Sequence, residues 1–421
     1  MYPKVNLLHF CTSVRVNIPL FFFFLLVTPS IYAQVFEIEI SQIEELSEEY
    51  SLQWQQIENR LDYSVRGEKA AATRFNPSIA YDLEFLGEGS QSEYEHYLYL
   101  QKEFRLPGHF RNLRERSDSR IAQRELESES SRVGWLAVTR MGFIQIILNK
   151  NEIENLEVLK NQIERLSEAS LRRAEEGEIA ALDDQLLQMS LYHLQARMDE
   201  KTVETDRLIT LWKNRMGFDQ DTDVRFNGQF RDRQINLPQA ADIISILDDS
   251  PQARADRQAV RTAASETAFA QSSRLPSFEL SAGYKQLNPN WHGFLVGISF
   301  PLPLLSSNTE AVAQARALEQ IEQTELTLAQ MERNQITFQM MDALRLYEDK
   351  LDQTPEHLGN PEPFLNRLLI SFQNGALSIN DFLNSLNLMA DAYQTKYSRL
   401  SDYYSMILEL EAMTGREFIN P

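Results

Sequence analysis

The sequence has one cysteine, Cys11, and after residue 33 no apolar run long enough to cross a bilayer as a helix. A lone thiol excludes a disulfide framework or a cysteine-built metal centre within the chain. A transmembrane helix needs about 18 consecutive apolar residues, so whatever part of this chain enters a membrane must do so as a closed barrel. Positive charge is also scarce: 41 Lys and Arg stand against 61 Asp and Glu, a net charge of −20. That balance disfavours nucleic acid as a partner and suits a chain that handles cations or basic proteins, although solubility alone would account for it too.

Catalytic signatures are missing as well. There is no G-x-S-x-G, P-loop, H-E-x-x-H or dinucleotide fingerprint, so neither enzyme activity nor a cofactor is expected. His96, His109, His193, His292 and His357 are scattered, none four residues from another, and no resident metal site is expected. The acid pairs Asp183-Asp184 and Asp248-Asp249 read as solvated surface.

What is present begins with a leader. Lys4 and Arg15 precede the apolar run Ile18 to Val27, and Ile31-Tyr32-Ala33 offers a cleavage site before Gln34, so residues 1–33 read as a secretory signal, with a signal anchor as the alternative. Its removal would discard Cys11 and take the net charge to −22. No cysteine directly follows the run, so an N-terminal lipid anchor is not expected.

The chain then repeats itself. Pro77-Ser78 is echoed by Pro276-Ser277, Phe104-x-Leu106-Pro107 by Phe300-x-Leu302-Pro303, and Gly177, Ile179, Ala180 and Asp183 by Gly375, Leu377, Ser378 and Asp381. The offsets are 199, 196 and 198, in one order, which points to two structural repeats, 34–216 and 250–421, joined by a polar equatorial segment, 217–249. Each repeat reads as helix, strand pair, long helix, turn, long helix. Ser41-x-x-Glu44 has the form of a capping box opening a helix that runs to about Thr73, and Ser250-Pro251 opens its counterpart. Asn76-Pro77 and Leu275-Pro276 end these helices.

Strands are expected over about 76–86 and 94–104, then 277–285 and 293–300. Phe278, Leu280, Ala282 and Tyr284 alternate with Glu279, Ser281, Gly283 and Lys285, the period-two signature of a sheet with one apolar face. Such runs match the ~9–11 residues of a tilted strand crossing a bilayer. Four strands cannot close a barrel, and open edges cannot face lipid, so several chains would have to contribute. The alternative is a soluble β-sandwich layer covered by the helices.

Between Asn112 and Glu175 there is no proline, and one helix there could extend on the order of 95 Å. In the last helix Leu386, Met389, Tyr393, Tyr397, Leu400, Tyr404 and Ile407 keep heptad spacing, the mark of a coiled-coil seam. Both long pairs read as antiparallel hairpins with tips near 177 and 375.

This order, with Asn76-Pro77-Ser78, Phe104-Arg-Leu-Pro-Gly108, Gly297-Ile-Ser-Phe-Pro-Leu-Pro303 and Gly375-x-Leu377-Ser378, resembles the TolC family of outer-membrane factors along essentially the whole mature chain. The resemblance implies a mainly α fold with a β-barrel portion: a homotrimer forming a 12-strand barrel in outer-membrane lipid, continued by an α-helical tunnel through the periplasm of a Gram-negative bacterium. It implies a passive duct that docks to a periplasmic adaptor, the membrane fusion protein, and to an inner-membrane pump. Leu98 to Arg114 and Phe300 to Leu304 are most similar to the CzcC-type members serving heavy-metal pumps of the resistance-nodulation-division (RND) class. A drug-efflux or type I protein-secretion duct, or a periplasmic coiled-coil scaffold without a channel, are the alternatives.

By the same resemblance, adaptor docking falls on Gly177 and Ile179 and on Gly375 and Leu377, though the glycines could simply cap helices. A periplasmic gate falls on Asp381, where the family's second acid is replaced by Asn384; Asp381 could equally be a first-turn acid favoured by the helix dipole. Asp82, Glu84 and Glu279 would face the barrel lumen, or else be one solvated sheet face. Tyr94, Tyr97, Tyr99, Tyr284 and Trp291 are candidates for an interfacial aromatic girdle.

Overall fold

The computed structural model describes residues 36–88, 91–105, 108–175, 181–230, 235, 237–287, 291–301 and 308–419. Strand β1 (Phe36–Ile38) is followed by helices α1 (Ile43–Tyr50) and α2 (Leu52–Ala71). The single helix expected from Ser41 is therefore broken. Ser51 adopts an extended backbone (φ −76°, ψ 117°), and its hydroxyl accepts from the Trp54 N–H at 3.3 Å, so it caps a second helix instead of continuing the first. The expected box at Ser41 and Glu44 is displaced too: Glu39 and Gln42 form it, around one 3-10 turn.

Strands β2 (Ser78–Glu88) and β3 (Gln91–Phe104) lead into α3 (His109–Glu175), whose 67 residues extend about 100 Å. Helix α4 (Ala181–Met216) returns along it. The equatorial segment holds β4 (Val224–Phe226), which pairs in parallel with β1, and α5 (Ala240–Leu247). Helix α6 (Pro251–Ser272) is capped by Ser250, and β5 (Phe278–Leu287) and β6 (Trp291–Ser299) follow. Helix α7 (Thr309–Asp352) breaks before α8 (Glu362–Gln373), because Pro355 and Pro361 disfavour helical residues before them. Helix α9 (Ile379–Thr414) closes the order.

Strand order is β2-β3-β5-β6, antiparallel throughout. The helices form a layer of four rods. Helix α4 ends on the start of α2, where Ser51 Oγ donates to the Arg215 carbonyl at 2.9 Å, and α9 ends on the start of α6, where Gly415 abuts Pro251. Each junction turns on a glycine in the left-handed region, Gly217 (φ 82°) and Gly415 (φ 69°). The two stand 198 residues apart, the offset that also separates Gly177 from Gly375. Across the layer the rods run α2 with α4, then α3, then α6 with α9, then α7. Among the described residues no helix is long and apolar enough to cross a membrane.

The core follows the seam between α3 and α9. Leu156, Leu159, Ile163 and Leu166 are buried against Leu386, Met389, Tyr393 and Leu400, and all seven heptad positions of α9 are buried. Asn155 Nδ2 donates to the Tyr397 hydroxyl at 2.6 Å and fixes the register of the two helices. Around the middle, Phe36, Tyr50, Phe143, Trp212, Phe218 and Phe226 stack edge to face or offset, tying the small β1–β4 sheet to α3 and α4.

Candidate functional site: the uncovered sheet, the hairpin tip and the free edges

Register divides the sheet into two chemically distinct faces. Ile79, Leu100, Ala282 and Val296 stand in one row, and Tyr81, Leu98, Tyr284 and Phe294 in the next. No helix lies over them: Ile79 is 75 %, Phe294 92 % and Val296 83 % exposed. The alternative of a sandwich layer covered by helices is thereby corrected, since a contiguous apolar face across four strands is left bare in the single chain.

The opposite face is polar and holds Asp82, Glu84 and Glu279 together, with Glu95, Tyr97, Tyr99, Glu103 and Lys285. Lys285 Nζ lies 2.6 Å from Glu95 and 2.9 Å from the Tyr97 hydroxyl, and 4.7 Å from the Tyr97 ring centre. The Tyr97 hydroxyl donates to Glu95, and that of Tyr99 to Asp82. These bonds knit β2, β3 and β5 across the polar face. Sequence reading placed three acids here and missed the rest, because the alternation over Tyr94 to Phe104 is blurred: tyrosines fall on both faces and Lys102 falls on the apolar one. The expected girdle is accordingly divided. Tyr94 and Tyr284 lie on the apolar face, Tyr97 and Tyr99 on the polar face, and Trp291 heads β6 in the row of Glu95 and Leu287.

At the second hairpin tip Gly375 has φ 73°, and the Ala376 N–H donates back to the Ser371 carbonyl at 2.9 Å, so the glycine does end α8 as a left-handed cap. Gly375 is exposed, while Leu377 is half-buried against the core. Ser378 then caps α9. The Asp381 N–H donates to Ser378 Oγ at 3.2 Å, and that hydroxyl donates to Asp381 Oδ2 at 2.6 Å. Asp381 thus has the local role of a first-turn acid. Asp381 and Asn384 are both exposed, three residues apart on one side of α9. Gly177 and Ile179 lie outside the described residues. Among the described residues no group of three or more His, Asp or Glu is placed to hold a metal ion.

The third feature concerns edges. Strand β2 follows α2, β3 leads to α3, β5 follows α6 and β6 leads to α7, so the sheet and the helical layer have the same order and, among the described residues, run out of partners on the same two sides. On one side β2 is unpaired above α2 and α4, where Tyr63, Met189, Tyr192 and Val203 are exposed. On the other, β6 is unpaired above α7, whose Ile321, Leu328, Met331 and Phe338 are exposed.

This arrangement has solved counterparts. The chain superposes on CusC, described for the conformational changes of transmembrane channel formation, with a TM-score of 0.75 over 91 % of this chain and 95 % of that one, at 12 % identity. On the outer membrane protein VceC from Vibrio cholerae the TM-score is 0.74 over 90 % and 97 %, at 14 % identity, and on the Campylobacter jejuni CmeC outer membrane channel it is 0.73 over 89 % and 85 %, at 12 %. The chain carries their fold. No protein-family model and no curated protein matches it by sequence. At such low identity the shared feature is architecture, and the roles of individual side chains rest on their chemistry.

Proposed function

We propose that the chain is one protomer of a trimeric exit duct in the outer membrane, extending into the periplasm, which docks to a periplasmic adaptor and an inner-membrane pump and exports heavy-metal cations. The observation that carries this reading is the pair of matched free edges. A sheet with an apolar face and two open edges is unstable in lipid until each N–H and C=O is paired. Joining β6 and α7 of one copy to β2, α2 and α4 of the next satisfies the sheet edge and covers both exposed helix stripes in one contact. Because the two joined surfaces differ, the contact is head-to-tail, the kind that generates a ring when its rotation closes. Three copies would supply twelve strands.

In such a ring the bare apolar face turns to lipid and the polar face, with Asp82, Glu84 and Glu279, lines the lumen. Cations as cargo are favoured by that acidic wall and by the overall negative charge. Gly177, Ile179, Gly375 and Leu377 would meet the adaptor at the hairpin tips, and Asp381 with Asn384 would narrow the periplasmic end.

Native mass spectrometry of detergent-solubilised protein should give three times the mature chain mass, and planar bilayers containing it should conduct. Protein that is monomeric, soluble without detergent and silent in a bilayer would sink the duct. For the cargo, cells deprived of the protein should become sensitive to divalent transition metals while their drug tolerance is unchanged.

A further inference from the structure

On the apolar face of the sheet, Leu83, His96, Gln286 and His292 form one row across all four strands. His96 Nδ1 lies 2.8 Å from the Tyr81 hydroxyl, and His292 Nδ1 is hydrogen-bonded to the Tyr284 hydroxyl. The rings stack in both couples, with centroids 6.2 Å apart at 27° and 5.9 Å apart at 22°. The couples match in placement: each tyrosine sits on the first strand of its hairpin, one row nearer the helices, and each histidine on the second strand.

We propose that these two tyrosine–histidine couples form a docking surface for phosphomonoester lipid headgroups of the outer leaflet, an inference that rests on the barrel reading above. Imidazole in hydrocarbon is costly, so a row with two histidines and a glutamine marks the level at which the lipid-facing wall meets polar surroundings. Near the helices the same face carries Lys102, six residues or about 20 Å along β3 in the row of Leu280 and Ile298, whose ammonium donates to the Phe75 carbonyl at 2.9 Å. The histidine row lies towards the hairpin turns, away from the helices, with the exposed Phe85 and Tyr94 rings one row beyond it on the same face, and so on the outer-leaflet side.

Chemistry then selects the occupant. The proposed surface has each phenol donating to Nδ1, which places the imidazole N–H on Nε2, on the side away from the tyrosine. The Gln286 amide stands between the two histidines in the row. Among the described residues no carboxylate shares this face near the row, because Asp82, Glu84, Glu95 and Glu279 belong to the opposite face. Donors without competing acids on an apolar face suit a phosphomonoester carried on acyl chains, whose extra negative charge makes it a stronger acceptor than the choline-paired diester of phosphatidylcholine.

The test uses the intact protein in nanodiscs of phosphatidylcholine with a phosphomonoester lipid admixed, retained lipids being counted by native mass spectrometry. Wild type should retain the phosphomonoester lipid about tenfold over phosphatidylcholine. His96→Phe with His292→Phe should abolish the preference while heat-modifiable mobility and conductance persist, and Tyr81→Phe with Tyr284→Phe should weaken it by freeing the imidazole tautomer. Insertion with no headgroup preference, a preference kept by the double histidine variant, or equal binding of inorganic phosphate would overturn the proposal. Failure of wild type to insert or conduct would count against the duct itself and is read separately.

Discussion

Arg140 and Glu411, 271 residues apart, form a buried ion pair at 2.8 Å that fastens the end of the chain to the middle of its longest helix. Their side chains are 6 % and 5 % exposed. Glu411 also accepts from the N–H groups of Phe418 and Ile419, at 2.6 and 2.7 Å, and Arg140 donates to the Ile419 carbonyl at 3.2 Å. Burial raises the Glu411 pKa while Arg140 and the two N–H groups pull it down.

Arg140→Ala would strand that carboxylate, at a cost on the order of 3–5 kcal/mol. Glu411→Gln should cost less, since the amide still accepts from the tail and Arg140 keeps Glu417 at 3.0 Å. Thermal unfolding in detergent checks the order. Equal losses in the two variants would mean that packing, not the charge pair, holds the tail.

The helical layer is legible in the sequence because its signals are local. Heptad spacing from Leu386 to Ile407, the absence of proline between Asn112 and Glu175, and Ser250-Pro251 each specify a helix within a few turns. What escapes is set by distant contacts. The β1–β4 pair joins three-residue segments nearly two hundred residues apart, too short for any period to show. The break at Ser51 depends on the Arg215 carbonyl, and the polar-face network depends on Lys285 reaching across to Glu95. The missed glycines 217 and 415 did carry a signal, since they keep the same offset as the tip glycines.

His109 gives the joint between sheet and helices a pH dependence. It is buried at the start of α3 against Phe269, and its pKa is lowered from 6.5 by desolvation and by Arg105 and Arg116, with Glu103 opposing. The unfolded chain titrates at the ordinary value, so below pH 6.5 it takes up a proton that the folded state refuses. Stability should therefore fall as pH drops from 6.5 through the lower folded pKa, and level off below it. Unfolding midpoints followed from neutral pH to about pH 5 should show a shallower fall for His109→Gln. An unchanged slope would assign the acid response elsewhere.

Lys285 is the cation that the Glu95 and Tyr97 oxygens hold on the polar face. If that face lines a conducting lumen, Lys285→Gln removes one positive charge per protomer and frees Glu95. Reversal potentials across a salt gradient should then shift towards stronger cation preference, while Glu95→Gln should shift them the other way. No movement in either variant would mean that the polar face does not border the ion path.

Gly375 can be tested with its backbone in mind. Its φ of 73° makes any ordinary side chain strained by about 1 kcal/mol, so loss of adaptor binding in Gly375→Glu could reflect a distorted tip. Gly375→Asn is the control, because asparagine tolerates the left-handed region. If the tip docks the proposed adaptor by close backbone approach, cross-linking to it should survive only weakly in Gly375→Ala and vanish in Gly375→Glu. Normal cross-linking in the glutamate variant removes the tip from the docking surface.

Asp381 is the sharpest case, because its local bond and its proposed gate role predict different outcomes. As partner of the Ser378 hydroxyl it stabilises the first turn of α9 through a hydrogen bond worth about 1 kcal/mol, which Asp381→Asn can keep and Asp381→Ala loses, while the charge–dipole contribution of about 0.3–1 kcal/mol goes in both. As a threefold ring at a constriction it acts through charge, which both variants abolish equally. Single-channel recording with a blocking divalent cation separates the two. Relief of block in both variants, with stability reduced mainly in the alanine one, is the expected result. Unchanged block in Asp381→Asn would leave Asp381 as a helix cap, and Asn384 on the next position of the same face could then be replaced by Asp to see whether any acid at this level reaches the ion path.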